Sequence, residues 1–227
     1  MRQQKKKWFS AFKCILKIFT KKPKFIYLGE KPQEPSLHLC NHVGSKGPLR
    51  LELYYEHNFR FWGTHEMNEG AKSTYKYLST TYFQGKKHMK PYFAKVIGFI
   101  ATPILNLIYL GLNLISTYQD MRLKKTFRES LNTLKNNQSI IIFPENSTDG
   151  YFDELIEFNE GFVFLLEMAY QRGLDLPIYT MYFQRKHNRY IVDKKIMYSD
   201  LLKLNLTKEE LAEKFRIRCN QLGKMEI

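Results

Sequence analysis

Residues 139–143 read Ser-Ile-Ile-Ile-Phe, a β-branched run with no polar alternation, closed by Pro144 and the polar turn Glu145–Gly150. A strand that is apolar on both sides must be covered on both faces, which places it inside a largely parallel sheet sandwiched by helices. Its surroundings support this. Leu123, Phe127, Leu131 and Leu134 lie on one helical face before it. A helix over 161–172, closed by Gly173, and a strand over 176–183 follow. Strands are also predicted over 36–40, 59–63 and 189–197, with a helix starting after Pro48. Thr207 with Glu210 three residues on is a capping box that opens a last helix to about Leu222. The expected fold class is α/β: one layered domain over 25–227, with a mixed, largely parallel central sheet flanked by helices.

Charge sets the first 24 residues apart. They hold nine of the 36 Lys and Arg residues and no acid, in a chain of net charge +14. Trp8, Phe12, Ile15, Leu16 and Phe19 fall at helical spacing within this stretch, and no uncharged signal core or small-residue cleavage site accompanies them. Residues 1–24 are therefore expected to form a basic amphipathic helix that meets an anionic membrane surface. No nucleic-acid recognition module follows it, so no nucleic acid is expected. Residues 96–119 carry no charge; Pro103, Gly98, Gly111 and two asparagines interrupt them. Read by pattern, they form a helix over 103–110 and a buried strand over 112–116, in or near the membrane interface. Cys14, Cys40 and Cys219 are odd in number and far apart, which indicates a reducing compartment and no disulfide framework.

Loops leaving the carboxyl ends of strands usually carry the site in such sheets. Two have the necessary chemistry: Asn41-His42-Val43-Gly44-Ser45-Lys46-Gly47 after the strand at 36–40, and Pro144-Glu145-Asn146-Ser147-Thr148-Asp149-Gly150 after the strand at 139–143. A neutral imidazole is suited to deprotonating a hydroxyl near neutral pH. Amides, hydroxyls and cations suit a phosphate.

These stretches resemble the motifs of the glycerolipid acyltransferases that make phosphatidic acid from lysophosphatidic acid. The Asn-His motif matches Asn41–Gly47 and the Phe-Pro-Glu motif matches Phe143–Ser147. The apolar second motif matches 112–120, and the Pro-centred strand matches 176–179. Order and spacing agree over roughly 36–200. Three motifs depart from the family pattern: the Asp of the first falls on Gly47, the Arg of the second on Gln119, and the Gly-Thr of the third on Asn146–Ser147.

The resemblance implies transfer of a fatty acyl chain from an acyl-thioester, on coenzyme A or a carrier protein, to a hydroxyl of a glycerol phosphate or lysophospholipid-like acceptor. His42 would be the general base. With Gly47 in place of Asp, the ring's orienter becomes Glu52, Glu66 or a backbone carbonyl. Lys46, Gln119, Arg122, Glu145, Asn146, Ser147 and Thr148 would contact the acceptor. No cofactor or metal is implied, and no metal-ligand spacing occurs. The expected location is the cytoplasmic face of the membrane, peripheral or monotopic. The other reading is a catalytically silent, membrane-peripheral lipid-binding protein of the same fold.

Overall fold

The computed structural model describes residues 7–145 and 152–227. At its centre is the expected strand, β5 (Ser139–Ile142), every residue of which is buried. It runs parallel between β2 (Leu37–Cys40), with Leu37 beside Ile140, and β3 (Phe59–Thr64), with Phe61 beside Ile141. β3 continues to the edge strand β4 (Ile115–Thr117). On its other side β2 pairs in parallel with β6 (Pro177–Gln184), which turns back antiparallel into β7 (Arg189–Val192). β1 (Lys24–Tyr27) closes that edge in parallel with β7, and β8 (Ile196–Met197) pairs with the start of β6. This is the mixed, mostly parallel α/β sheet that the sequence predicts. The predicted strand at 189–197 is divided into β7 and β8, because residues 193–195 leave the ladder.

Each sheet face has its own core. On one, α5 (Leu123–Lys135), α6 (Gly161–Tyr170) and α8 (Lys208–Lys224) bury Phe127, Leu134, Phe162, Leu166 and Phe215 against Leu37, Ile140 and Ile178. α8 starts at the predicted capping box, in which Thr207 and Glu210 satisfy each other's backbone N–H groups. On the other face α2 (Lys46–Tyr54) contributes Leu51 to an aromatic core with Tyr55, Phe59, Phe61, Tyr179 and Tyr190.

The region between β3 and β4 departs most from expectation. A short 3₁₀ turn (His65–Met67) leads into α3 (Ala71–Lys76), a π-helix (Tyr77–Lys86) and the long α4 (Pro91–Leu112), which together form a helical hairpin. The helix expected over 103–110 is thus 22 residues long. Pro103 does not end it, since proline removes one backbone donor and α4 exposes that position. Asn113 ends it, in a left-handed conformation at φ 53° that breaks the helix repeat. The strand predicted over 112–116 begins only at Ile115.

The N-terminal helix forms as α1 (Lys7–Phe19) and docks on the domain. Phe9 is 1% exposed, with its ring set directly against Gly111 of α4, where no side chain would fit. Lys13 reaches inward to the buried Glu52 of α2 at 3.0 Å. The predicted apolar stripe is therefore divided. Phe12 and Leu16 are half-buried, whereas Trp8, Ile15 and Phe19 face outward beside Ile18.

Candidate active site

Because β2 and β5 are adjacent and parallel, the two candidate loops start side by side at their carboxyl ends. Asn41 explains how the first loop is aimed. It is fully buried and its amide brackets the main chain of Phe183 in β6, Oδ1 accepting from the Phe183 N–H at 2.6 Å and Nδ2 donating to its carbonyl at 3.2 Å. The side chain thus replaces a backbone ladder pair and fixes the residue that follows.

That residue is His42. Its ring packs edge-on against Phe143 at 4.7 Å between centroids, and Phe143 stacks in turn on Phe61 at 5.7 Å. The main-chain N–H of His42 donates to Glu145 Oε1. The imidazole therefore stands at the Phe143–Pro144 turn, where the two loops meet. Burial depresses its pKa to about 4; the Lys86 ammonium pushes in the same direction, and the nearby Gly44 backbone opposes them. At neutral pH the ring is uncharged.

The loop after His42 is tight. Val43 and Gly44 are consecutive left-handed residues at φ 48° and 62°. For a β-branched side chain such as Val43 that conformation is strained, at a cost of order 1–3 kcal/mol. The curl brings the His42 carbonyl back onto the first turn of α2, where a Cβ at position 47 would stand 2.5 Å from the His42 oxygen. The Gly47 carbonyl also accepts from the buried Tyr190 hydroxyl at 2.7 Å. Glycine at 47 is therefore a steric requirement of this loop, and backbone fills the space an orienting Asp would use.

The expected substitutes for that Asp are engaged elsewhere. Glu52 accepts from Lys13 Nζ at 3.0 Å. Glu66 accepts from Thr64 Oγ1 and lies 3.2 Å from His65 Nδ1. The Lys86 ammonium and the Gly44 backbone both act on the His42 ring. Arg122, expected at the acceptor, is held by Asp120 through contacts of 2.8–3.1 Å and lies over the Tyr118 ring at 4.5 Å. His65 stacks on that same ring at 4.8 Å, so Glu66 and Arg122 belong to one exposed cluster around Tyr118. Gln119 is exposed in the same loop, and Lys46 is exposed at the first turn of α2. Asn146, Ser147 and Thr148 lie outside the described residues.

Glu145 and Lys86 complete the centre. Burial raises the Glu145 pKa to about 7, against the opposing His42 N–H and the Lys86 charge. Burial lowers that of Lys86, with Glu145 opposing. A neutral base, a carboxyl poised near neutrality and a half-buried ammonium thus share one electrostatic environment. Lys86 escaped the sequence reading. Lys72, Lys76, Lys86, Lys87, Lys90 and Lys95 look equivalent in a stretch without acids, and only the π-helix brings one of them to the loops.

No family model matches the chain, and no curated protein matches it. Among solved structures, it is similar to the 1-acyl-sn-glycerophosphate (LPA) acyltransferase PlsC from Thermotoga maritima. That match has 10% sequence identity and a TM-score of 0.49, covering 97% of this chain and 90% of that chain. At that distance the site has to be read from its own residues.

These residues make stability depend on pH. His38, buried in β2 and bonded through Nε2 to Ser36 Oγ at 2.9 Å, is depressed to about 3 by burial and by nearby His57. His38 and His42 both have folded pKa values below the unfolded value of about 6.5, so each contributes stability that is lost as pH falls below that value. Glu145, raised from 4.5 to about 7, has the opposite sign and offsets one of them between those values. Near pH 5.5 these three groups together should take up about one net proton on unfolding, a loss of roughly 1.4 kcal/mol per pH unit of acidification. His57, lowered by burial, adds in the same direction. Glu145→Gln removes the offset. Urea denaturation at a series of pH values should then give a slope steeper by roughly 1.4 kcal/mol per pH unit, whereas an unchanged slope would mean that Glu145 is ionised in the folded state.

Proposed function

We propose that this chain is an O-acyltransferase of phospholipid biosynthesis. It would move a fatty acyl chain from an acyl-thioester, on coenzyme A or a carrier protein, to a hydroxyl of a glycerol phosphate or lysophospholipid-like acceptor. The observation that carries this reading is a half-buried His42 whose neutral ring packs against Phe143 and whose main-chain N–H is bound to Glu145, where the β2 and β5 loops begin.

In this reading His42 takes the acceptor's hydroxyl proton as the oxygen attacks the thioester carbonyl. The new C–O bond forms, the C–S bond breaks, and the proton passes from the imidazolium to the departing thiolate. Packing against Phe143 and the tight Val43–Gly44 turn hold the ring, in the place of a carboxylate. Lys86 supplies the cation for the acceptor's phosphate that Gln119 lacks and that Asp120 withholds from Arg122. Lys46, Ser147 and Thr148 remain candidates for the rest of that phosphate, and Glu145 with Asn146 for the glycerol portion. The enzyme would work at the cytoplasmic face of a membrane, held peripherally or monotopically.

A second reading, a silent lipid-binding protein of the same fold, draws on the backbone filling the space at Gly47. A discriminating assay supplies acyl-coenzyme A or acyl-carrier protein with glycerol 3-phosphate or lysophosphatidic acid in vesicles, and follows thiol release together with the new ester. The expected result is stoichiometric release of thiol and formation of ester for at least one pairing. Background rates for every pairing, with lipid binding retained, would favour the silent protein.

A further inference from the structure

The excess of positive charge in this chain comes from two segments, and both carry helices with apolar side chains left exposed among the described residues. Residues 1–24 hold nine basic residues and 70–119 hold six lysines, with no acid in either, while the rest of the chain holds 21 basic against 22 acidic residues. The fold joins these segments where Phe9 of α1 seats on Gly111 of α4. α4 turns its small residues inward, burying Ala94, Gly98 and Thr102, and Gly98 lies close against Ser79 of the π-helix. Its outer face exposes Tyr92, Phe99, Ile100, Ile104 and Leu107, of which Phe99 is 75% exposed, and α1 adds Ile15, Ile18 and Phe19. Single exposed apolar residues need no explanation, but an apolar face along six helical turns does.

We propose that this composite face seats in an anionic phospholipid leaflet, with α4 lying in the membrane plane as the principal apolar insertion and α1 beside it. This rests on the membrane location proposed above and deepens it: of the two segments expected at the interface, α4 makes the principal insertion, and it does so lying in the membrane plane.

Length and apolarity would also let α4 cross a bilayer. The hairpin argues against crossing. Its turn carries Lys86, Lys87 and Lys90, and Lys86 is held within electrostatic reach of His42 and Glu145, so the turn lies on the domain. The other end of α4 is also tied to the domain, where the Asn113 carbonyl accepts from Arg60 of β3 at 2.8 Å. The helix therefore cannot leave the domain to cross a bilayer, whereas lying in plane it keeps the lysines among the headgroups. Charge also decides between lipid and a second copy of the chain. Two copies meeting through this face would bring together two regions of uncompensated lysine, whereas an anionic leaflet neutralises them.

Flotation of the full-length protein with vesicles tests the proposal without reference to turnover, so failure of the acyl-transfer chemistry would leave it standing. Wild type should float with phosphatidylcholine vesicles containing phosphatidylglycerol, float poorly with phosphatidylcholine alone, and be released by raised salt. Phe99→Asp/Ile100→Asp should lower its partitioning at least about tenfold. Its thermal midpoint should hold, because both side chains are largely exposed. Flotation of that variant equal to wild type, or equal wild-type binding to both vesicle types, would overturn the proposal. So would a lipid-free dimer that the same substitutions dissociate, with no vesicle binding, since that would make the face a self-association surface.

Discussion

His42→Ala should lower kcat for acyl transfer by about 10³-fold or more, at the upper part of the range for loss of a positioned general base. Vesicle flotation should be unchanged, because the ring lies at the β2–β5 loops and not on the α4 face. The effect should fall on kcat more than on KM, since proton removal is part of the transition state and not of substrate capture. His42→Gln controls for the cavity that alanine leaves against Phe143. It keeps much of the volume and hydrogen-bonding capacity but cannot carry the proton, so it should be as inactive as alanine and closer to wild type in stability. A glutamine variant with wild-type turnover would remove the imidazole from the mechanism.

Gly47→Asp should damage the protein, although it restores the residue found at this position in the acyltransferase motif. The added Cβ would stand 2.5 Å from the His42 carbonyl oxygen, a backbone atom that can move only if the strained Val43–Gly44 curl opens. The expected cost is about 1–3 kcal/mol, typical of forcing atoms into filled space. Gly47→Ala should cost nearly as much, because the clash begins at Cβ. Activity should fall in both, since His42 itself is displaced. Denaturation midpoints of the two variants beside their turnover decide the matter. If Gly47→Asp surpassed Gly47→Ala in activity at equal stability, the loop would be able to open and accept a carboxylate orienter.

Much of this architecture was legible along the chain because its cause is local. Ile140–Ile142 are apolar without alternation, and that alone demands cover on both faces. The capping box at Thr207 and Glu210 needs only four residues to form. The placing of both site loops follows from the rule that a parallel strand releases its chain at one edge of the sheet, so His42 and Glu145 were expected near each other. The helix over 91–112 was harder to read. Pro103 and the glycines read as breaks, and they fail as breaks because the proline faces outward while Gly98 and Gly111 admit a close neighbour.

What only the tertiary structure decided concerns distances between remote segments. Glu52 and Glu66 were plausible orienters by spacing, yet Lys13 from the N-terminal helix pairs with one, and Thr64 and His65 engage the other. Lys86 is one lysine among six until the π-helix brings it to Glu145. The vacancy suggested by glycine at 47 proves to be filled by backbone. Periodicity and composition act over a few residues and so reveal which groups exist and which faces are apolar. Burial, pKa and the partner of a charge arise from atoms far apart in sequence, and these quantities turn a histidine in a loop into a candidate base.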